Sequence, residues 1–226
     1  MLKVYENIQK ASIKVGKEPE EIILVAVSKT FPSEYIKIVY ELGQRVFGEN
    51  RLKDAVNKIQ ELKYLEDIKF HMIGHIQSNK VRYIKNNFAL IESVDRTEIA
   101  DAIGKNSKEI NYIQDILIQV NLVVEEQKSG VSPEDLYRLI DYIAQTRLLN
   151  LKGLMFIPPF TRDPEDNRMN FRNMSKLFTI CQNKYSNIDN VSFDYLSMGM
   201  SADYQIAIEE GSNMVRVGTK IFGSRN

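Results

Sequence analysis

Cysteine and histidine are nearly absent from this chain: its 226 residues contain one of the first and two of the second. A lone Cys181 cannot close an internal disulfide, which predicts a reducing, cytoplasmic setting. It sits in KLFTICQNKY among apolar helical positions and reads as a buried bystander with no chemical role. His71 and His75 are four apart, but no His-Glu-x-x-His pattern surrounds them and the segment reads as strand plus loop, so no zinc site is expected. Net charge is missing too. Lys plus Arg and Asp plus Glu number 30 each, and no net field draws the chain onto nucleic acid or an anionic membrane. Any anion it binds must be held by a local site. No apolar run approaches the roughly 20 residues that span a bilayer, and the N-terminal MLKVYENIQKASIKVGKE carries charges where a signal peptide needs an apolar core. No G-x-G-x-x-G joins the first strand to its helix, which removes a Rossmann reading. No Pro/Gly/Ser-rich linker divides the chain either, so residues 1–226 are read as one domain.

What is present is a regular alternation. After an opening helix over Leu2 to Lys14, with Val4, Ile8, Ala11 and Ile13 at roughly helical spacing, short β-branched runs alternate with amphipathic segments. Eight strands are predicted: Ile22 to Val27, Arg45 to Phe47, Phe70 to Ile73, Ala89 to Ser93, Ile116 to Asn121, Leu151 to Phe156, Phe193 to Leu196 and Met214 to Val217. Helices start near Ser33, Asn50, Ser78, Thr97, Ser132, Asn167 and Ala202, several at residues able to cap an orphan N–H. Eight evenly spaced βα units favour an α/β fold of one kind, a single (β/α)8 TIM barrel with an extra N-terminal helix, over an open sheet. The stretch from Ile157 to Asn167, IPPFTRDPEDN, reads as an exposed, mobile loop over the barrel mouth.

Sites in such barrels lie at the C-terminal ends of the strands. Strand one ends ILVAVSKT, placing Lys29 directly after a buried run, where an amine near apolar walls becomes a neutral nucleophile toward an aldehyde; an ordinary rim lysine is the competing reading. The last two strands end YLSMGMS and RVGTKIFG. Ser197, Gly199 and Ser201 on one loop, with Gly218 and Thr219 on the other, supply small side chains, hydroxyls and N–H groups fit for a phosphate. Alternation aims Arg216 into the mouth, where a pyridine nitrogen or a carboxylate such as Glu49 or Asp194 would serve as its acceptor. Glu49, Asn50 and His75 follow glycines at the ends of strands two and three and face the same mouth. Asn121 ends strand five within reach of it, while Glu125, Glu126 and Lys128 read as a solvated loop.

VAVSKT, FGEN, FHMIGHIQSNK, VNLVVEEQKSG, LKGLMFIPP and LSMGMSADYQIAIEEGSNMVRVGTKIFG, in this order, closely resemble the pyridoxal phosphate homeostasis proteins, which are similar to the barrel domain of alanine racemase. The likeness runs from about Ile22 to Gly223. It implies that Lys29 holds pyridoxal 5′-phosphate (PLP) as a Schiff base and that Arg216 faces the pyridine nitrogen. It also implies that Ser201, Gly218 and Thr219, with the backbone of Gly199 and Met200, hold the phosphate, and that Asn50 and His75 lie near the cofactor. The implied role is that of a cytoplasmic carrier in vitamin B6 homeostasis, expected to be a monomer, that hands PLP to apo-enzymes and has no catalytic residue of its own. An arginine cannot easily lend the ring nitrogen a proton, which discourages carbanion chemistry. The alternative is a PLP-dependent amino-acid racemase, which needs a base on each side of the substrate α-carbon. Racemases bring an opposing tyrosine from a second domain, and no such domain is expected after the eighth strand. Tyr204, in the mouth-side helix region, is a weak candidate for the missing base. Lys80 and Lys128 are candidates for a second, weak aldehyde site.

Overall fold

The computed structural model describes residues 1–122 and 129–223. Eight parallel strands close into a barrel in sequence order: β1 Ile23–Val27, β2 Val46–Glu49, β3 Lys69–Met72, β4 Leu90–Val94, β5 Gln114–Val120, β6 Leu149–Phe156, β7 Val191–Ser197 and β8 Met214–Val217. The helices are α1 Leu2–Lys14, α2 Ser33–Glu41, α3 Leu52–Glu61, α4 Thr97–Glu109, α5 Pro133–Thr146, α6 Arg168–Lys184, α7 Tyr204–Glu209 and α8 Thr219–Phe222. Strands covered on both faces read as near-continuous apolar runs, which is why ILVAV and MVRV mark β1 and β8 so clearly. The polar start of β5 and the polar second residues of β6 and β7, Asn150 and Ser192, hid the first two residues of each from a hydrophobicity reading. Asn150 donates from Nδ2 to Asp115 Oδ1 at 2.9 Å there, so the extra pairing is made by side chains as well as backbone.

Two apolar layers result from side-chain alternation. The outer one, between strands and helices, is built from residues such as Ile91, Ile103, Ile118, Leu139, Phe156 and Phe171. The inner one contains Val25, Leu90, Leu117, Met155 and Met214. Helix α8 is only four residues long, and α1 covers the outer face of β1 and β8 instead, through Val4, Ile8 and Ala11 against Leu24, Val215, Val217, Tyr204 and Ile208. The expected Ile13 is not on that face but 63% exposed. Buried Ser12 takes the place, donating to the Ile8 carbonyl at 2.8 Å.

The crossover after β3 is a 3-10 helix, Ser78–Tyr83, in place of the α-helix expected from Ser78. Helix α3 begins at Leu52 and α7 at Tyr204, two residues beyond the predicted Asn50 and Ala202. Of the expected capping side chains, Ser132 does cap, accepting from Asp135 N, whereas Ser33, Thr97 and Asn167 do not. Asn167 is used otherwise: its Nδ2 donates to Pro159 O at 3.1 Å and Thr161 Oγ1 at 3.3 Å, tying down the base of the loop over the mouth while Phe160 at its tip stays exposed.

The seam between β7 and β8 is short. Ser197 and Met214 are its one register pair, and side chains extend it. Ser212 Oγ lies 2.9–3.0 Å from the carbonyls of Leu196, Met198 and Met214, while Asn213 Oδ1 accepts from Leu196 N at 2.8 Å.

Candidate functional site

A cavity of about 580 Å³ opens at the C-terminal ends of the strands, within the range of small-molecule sites. Eight of the predicted residues line it: Lys29, Asn50, His75, Met200, Ser201, Arg216, Gly218 and Thr219. Phe31, Ile73, Val120 and Ile157 supply apolar wall between them. Lys29 follows β1 directly, and the next residue, Thr30, has a positive φ of 72°. That conformation is a genuine outlier for a β-branched side chain, so the chain turns sharply where the lysine enters the mouth.

Arg216 is held from three sides. Its side chain is enclosed, 3% exposed; one terminal nitrogen donates to Ser197 Oγ at 2.6 Å and the other to the Phe156 carbonyl at 2.9 Å. Its carboxylate partner is neither Glu49 nor Asp194, the two candidates from sequence. It is Glu92 on β4, at 3.9 Å. Ser197 donates its hydroxyl to Glu92 Oε2 at 2.6 Å, and Glu92 Oε1 lies 2.8 Å from His71 Nδ1. Burial opposes the Glu92 charge, but hydrogen bonds from His71 and Ser197 and the attraction of His71 and Arg216 outweigh it and hold the carboxyl below its ordinary range. Burial lowers the guanidinium of Arg216, with Glu92 and Asp203 opposing. Glu49 instead accepts from Ser28 Oγ and Lys58 Nζ, both at 2.6 Å, behind β1 and β2. Asp194 lies on the exposed face of β7, accepting from Ser192 Oγ.

The loops after β7 and β8 meet where Gly218 N donates to Ser201 Oγ at 3.1 Å. Two residues expected in this cradle are not part of the cavity wall. Ser197 lies in the barrel interior, spent on Arg216 and Glu92. Gly199 stands behind, with φ of 92° and room for no side chain: an added Cβ would lie 2.5 Å from that of Ala207. Met200 lines the cavity, but its N–H is donated to Asp203 Oδ1 at 2.7 Å. At the opposite rim, His75 Nδ1 lies 3.2 Å from Ser129 Oγ and 3.6 Å from Asp95 Oδ2. Gly74 before it lets two loops touch, since a Cβ there would stand 2.3 Å from the Asn50 carbonyl oxygen. Asn121 lines the cavity as well.

Tyr204 is not in the mouth. It is fully buried under α1, its hydroxyl accepting from Asn7 Nδ2 at 2.9 Å. Lys80 is absent from the cavity wall, and Glu125, Glu126 and Lys128 lie outside the described residues. No cluster of three metal-ligating side chains occurs among the described residues. Cys181 is buried in α6, its thiol pushed up to about 11 by burial.

Glu92, with His71 as its partner, is the part of the site the sequence reading missed. The signal was there: in LIESV, a carboxylate two residues after interior Leu90 falls on the interior face of a strand buried throughout.

A parallel barrel with an amine and an enclosed guanidinium at its mouth defines a class, and the chain matches the family described as "Alanine racemase, N-terminal domain" over residues 3–226. The pyridoxal phosphate homeostasis protein of Aquifex aeolicus is 43% identical over 223 residues, covering 99% of this chain and 96% of its own length. PipY of Synechococcus elongatus, solved with PLP bound, superposes with a TM-score of 0.84 at 32% identity, covering 97% of this chain and 100% of that one. Alanine racemase of Clostridium difficile shares the fold alone: TM-score 0.72, 16% identity, and 99% of this chain against 56% of the racemase. The chain belongs to the pyridoxal phosphate homeostasis protein family.

Proposed function

We propose that this chain binds PLP in the cavity at the barrel mouth and acts as a reversible holder of it in vitamin B6 homeostasis, passing it to apo-enzymes. The observation that carries this reading is the placement of Lys29, Arg216 and the Ser201, Gly218, Thr219 pair of loops around one cavity. The donor set fits the cofactor: an amine for its aldehyde, a buried cation for its ring, and hydroxyls with backbone N–H groups for its phosphate. When bound, the cofactor supplies an aldehyde that condenses reversibly with amines.

Everything else falls to the residues of the chain. Lys29 is the attachment amine. Ser201 and Thr219 offer hydroxyls, and Gly218 an N–H that a phosphate oxygen takes over from Ser201. Arg216 would be the donor toward the ring nitrogen and would keep its own proton, an arrangement that would do little to favour proton abstraction from an amino acid. Asn50 and His75 close the rim. Racemisation requires a second base opposite the lysine, and Tyr204 is turned away toward Asn7. The chain acts as a monomer, in the cytoplasm, without a nucleic-acid or membrane partner.

The test is the absorption spectrum of the purified protein with added PLP, wild type beside Lys29→Ala, before and after borohydride. The expected result is a band locked by borohydride in the wild type, missing in the variant, with no product when amino acids follow. Steady racemised or keto product would make the protein an enzyme, and failure to take up PLP would overturn the reading.

A further inference from the structure

We propose that Glu92 is the positioning residue for Arg216: a buried counter-charge that fixes, from inside the barrel, how the guanidinium meets the ring of a bound ligand. The inference rests on the reading that PLP is that ligand, and it concerns a residue to which that reading gives no part.

Strand β4 is buried along its whole length, and alternation turns Leu90 and Glu92 to the interior. A carboxylate enclosed this way is costly, and well-packed apolar side chains of similar volume would often be as stable or more so. The inner layer around Leu90, Leu117, Met155 and Met214 is filled in that apolar way. One step closer to the mouth on the same strands, Met214 gives way to Arg216 and Leu90 to Glu92. The charged set therefore begins where the cavity begins. Its members are joined to one another. Glu92 takes one hydrogen bond at each oxygen, from Ser197 at 2.6 Å and His71 at 2.8 Å, and Ser197 passes the constraint on by accepting from Arg216 at 2.6 Å. Glu92 is the one carboxylate within 4 Å of Arg216 among the described residues. The other charge that Arg216 feels, Asp203, is committed to Met200 N and Asn167 Nδ2. Without Glu92, the guanidinium keeps the Phe156 carbonyl but loses its counter-charge and the anchor that holds Ser197 in place, and it is free to swing into the cavity.

The experiment is a double-mutant cycle. PLP affinity and the spectrum of bound PLP are measured for wild type, Glu92→Gln, Arg216→Gln and the double variant. Glu92→Gln is expected to weaken PLP binding about tenfold or more, the size of one charge-assisted hydrogen bond, and to shift the absorption band. In the Arg216→Gln background the same change is expected to alter affinity by less than about twofold, because the residue it acts through is gone. Wild-type affinity and spectrum in Glu92→Gln, tighter binding, or an equal loss in both backgrounds would overturn the inference; the last is what a merely structural role predicts. If Glu92→Gln does not fold, Ser197→Ala breaks the bridge while leaving both charges and carries the same cycle with the same expectations. A wild type that takes up no PLP sinks the functional reading alone. Glu92 is then judged in the ligand-free protein by hydrogen exchange at Arg216 Nε, expected to quicken in the variant; unchanged exchange overturns the inference.

Discussion

The two faces of the barrel wall are made of different chemistry. Outside, between strands and helices, Ile, Leu, Val and Phe pack almost without interruption. Inside, the apolar filling stops short of the mouth and is replaced by His71, Glu92, Ser197 and Arg216, all within 5% of full burial. The same strands serve both faces, so the contrast reflects neither strand propensity nor depth. Apolar burial at about 25 cal/mol per Å² stabilises the fold, while a charged interior contributes little to stability and specifies geometry. The outer layer keeps the barrel closed; in the function proposed, the inner top layer shapes the site for what the barrel receives.

That division is open to attack from either side. Phe171→Ala strikes the outer layer, where its ring meets Phe156 edge-on at 6.3 Å. It is expected to cost about 3–5 kcal/mol of stability in denaturant titration while leaving PLP affinity of the folded protein at the wild-type level; a large affinity loss would break the comparison. Thr219→Ala is the converse, expected to weaken PLP binding by about 1.5–3 kcal/mol with an unchanged Tm. The open mouth is expected to let hydroxylamine strip PLP from the native protein, and a bound cofactor inert to that reagent would place a lid over the cavity. The effect that is smallest near neutral pH concerns the outer layer and emerges only at high pH. The Cys181 thiol sits at about 11 rather than 9.0, so above pH 9 the unfolded chain releases a proton that the folded chain keeps. Its contribution to stability is complete below about pH 9 and is lost as pH rises through about 11, at about 1.4 kcal/mol per unit. Comparing the pH slopes of wild type and Cys181→Ala isolates it.

The outer layer was also the more legible in sequence. Each of the eight strands overlaps a run that announced it, because a strand covered on both faces is written as a near-continuous apolar run. Lys29 and Arg216 were legible because each stands at or beside the end of such a run. The acceptors of Arg216 were not: choosing between Glu49, Asp194 and Glu92 requires knowing which strands face each other across the interior, and β4 opposite β8 is a consequence of closure that no local pattern records. Helix starts were legible, with α2 and α4 beginning at Ser33 and Thr97 as expected, but the capping roles read into them were not. Thr97 and Asn167 have capping chemistry, but α4 and α6 begin without it, and Asn167 ties down the loop over the mouth instead. Tyr204 looked mouth-facing because its helix follows a mouth loop, while α1 packing over β8 draws it outward.

The seam between β7 and β8 carries a consequence for motion. Closure there has one register pair, supplemented by a few backbone hydrogen bonds such as Met198 N to Met214 O and Arg216 N to Gly199 O and by the side chains of Ser212 and Asn213, and the two loops that continue from those strands are the ones that meet through Ser201 and Gly218. A ligand gripping both loops spans the thinnest join of the ring. Its arrival is expected to act as a latch on the barrel itself, slowing amide exchange along β7 and β8 more than along β3 and β4, and its departure to leave the hoop free to breathe at that one place.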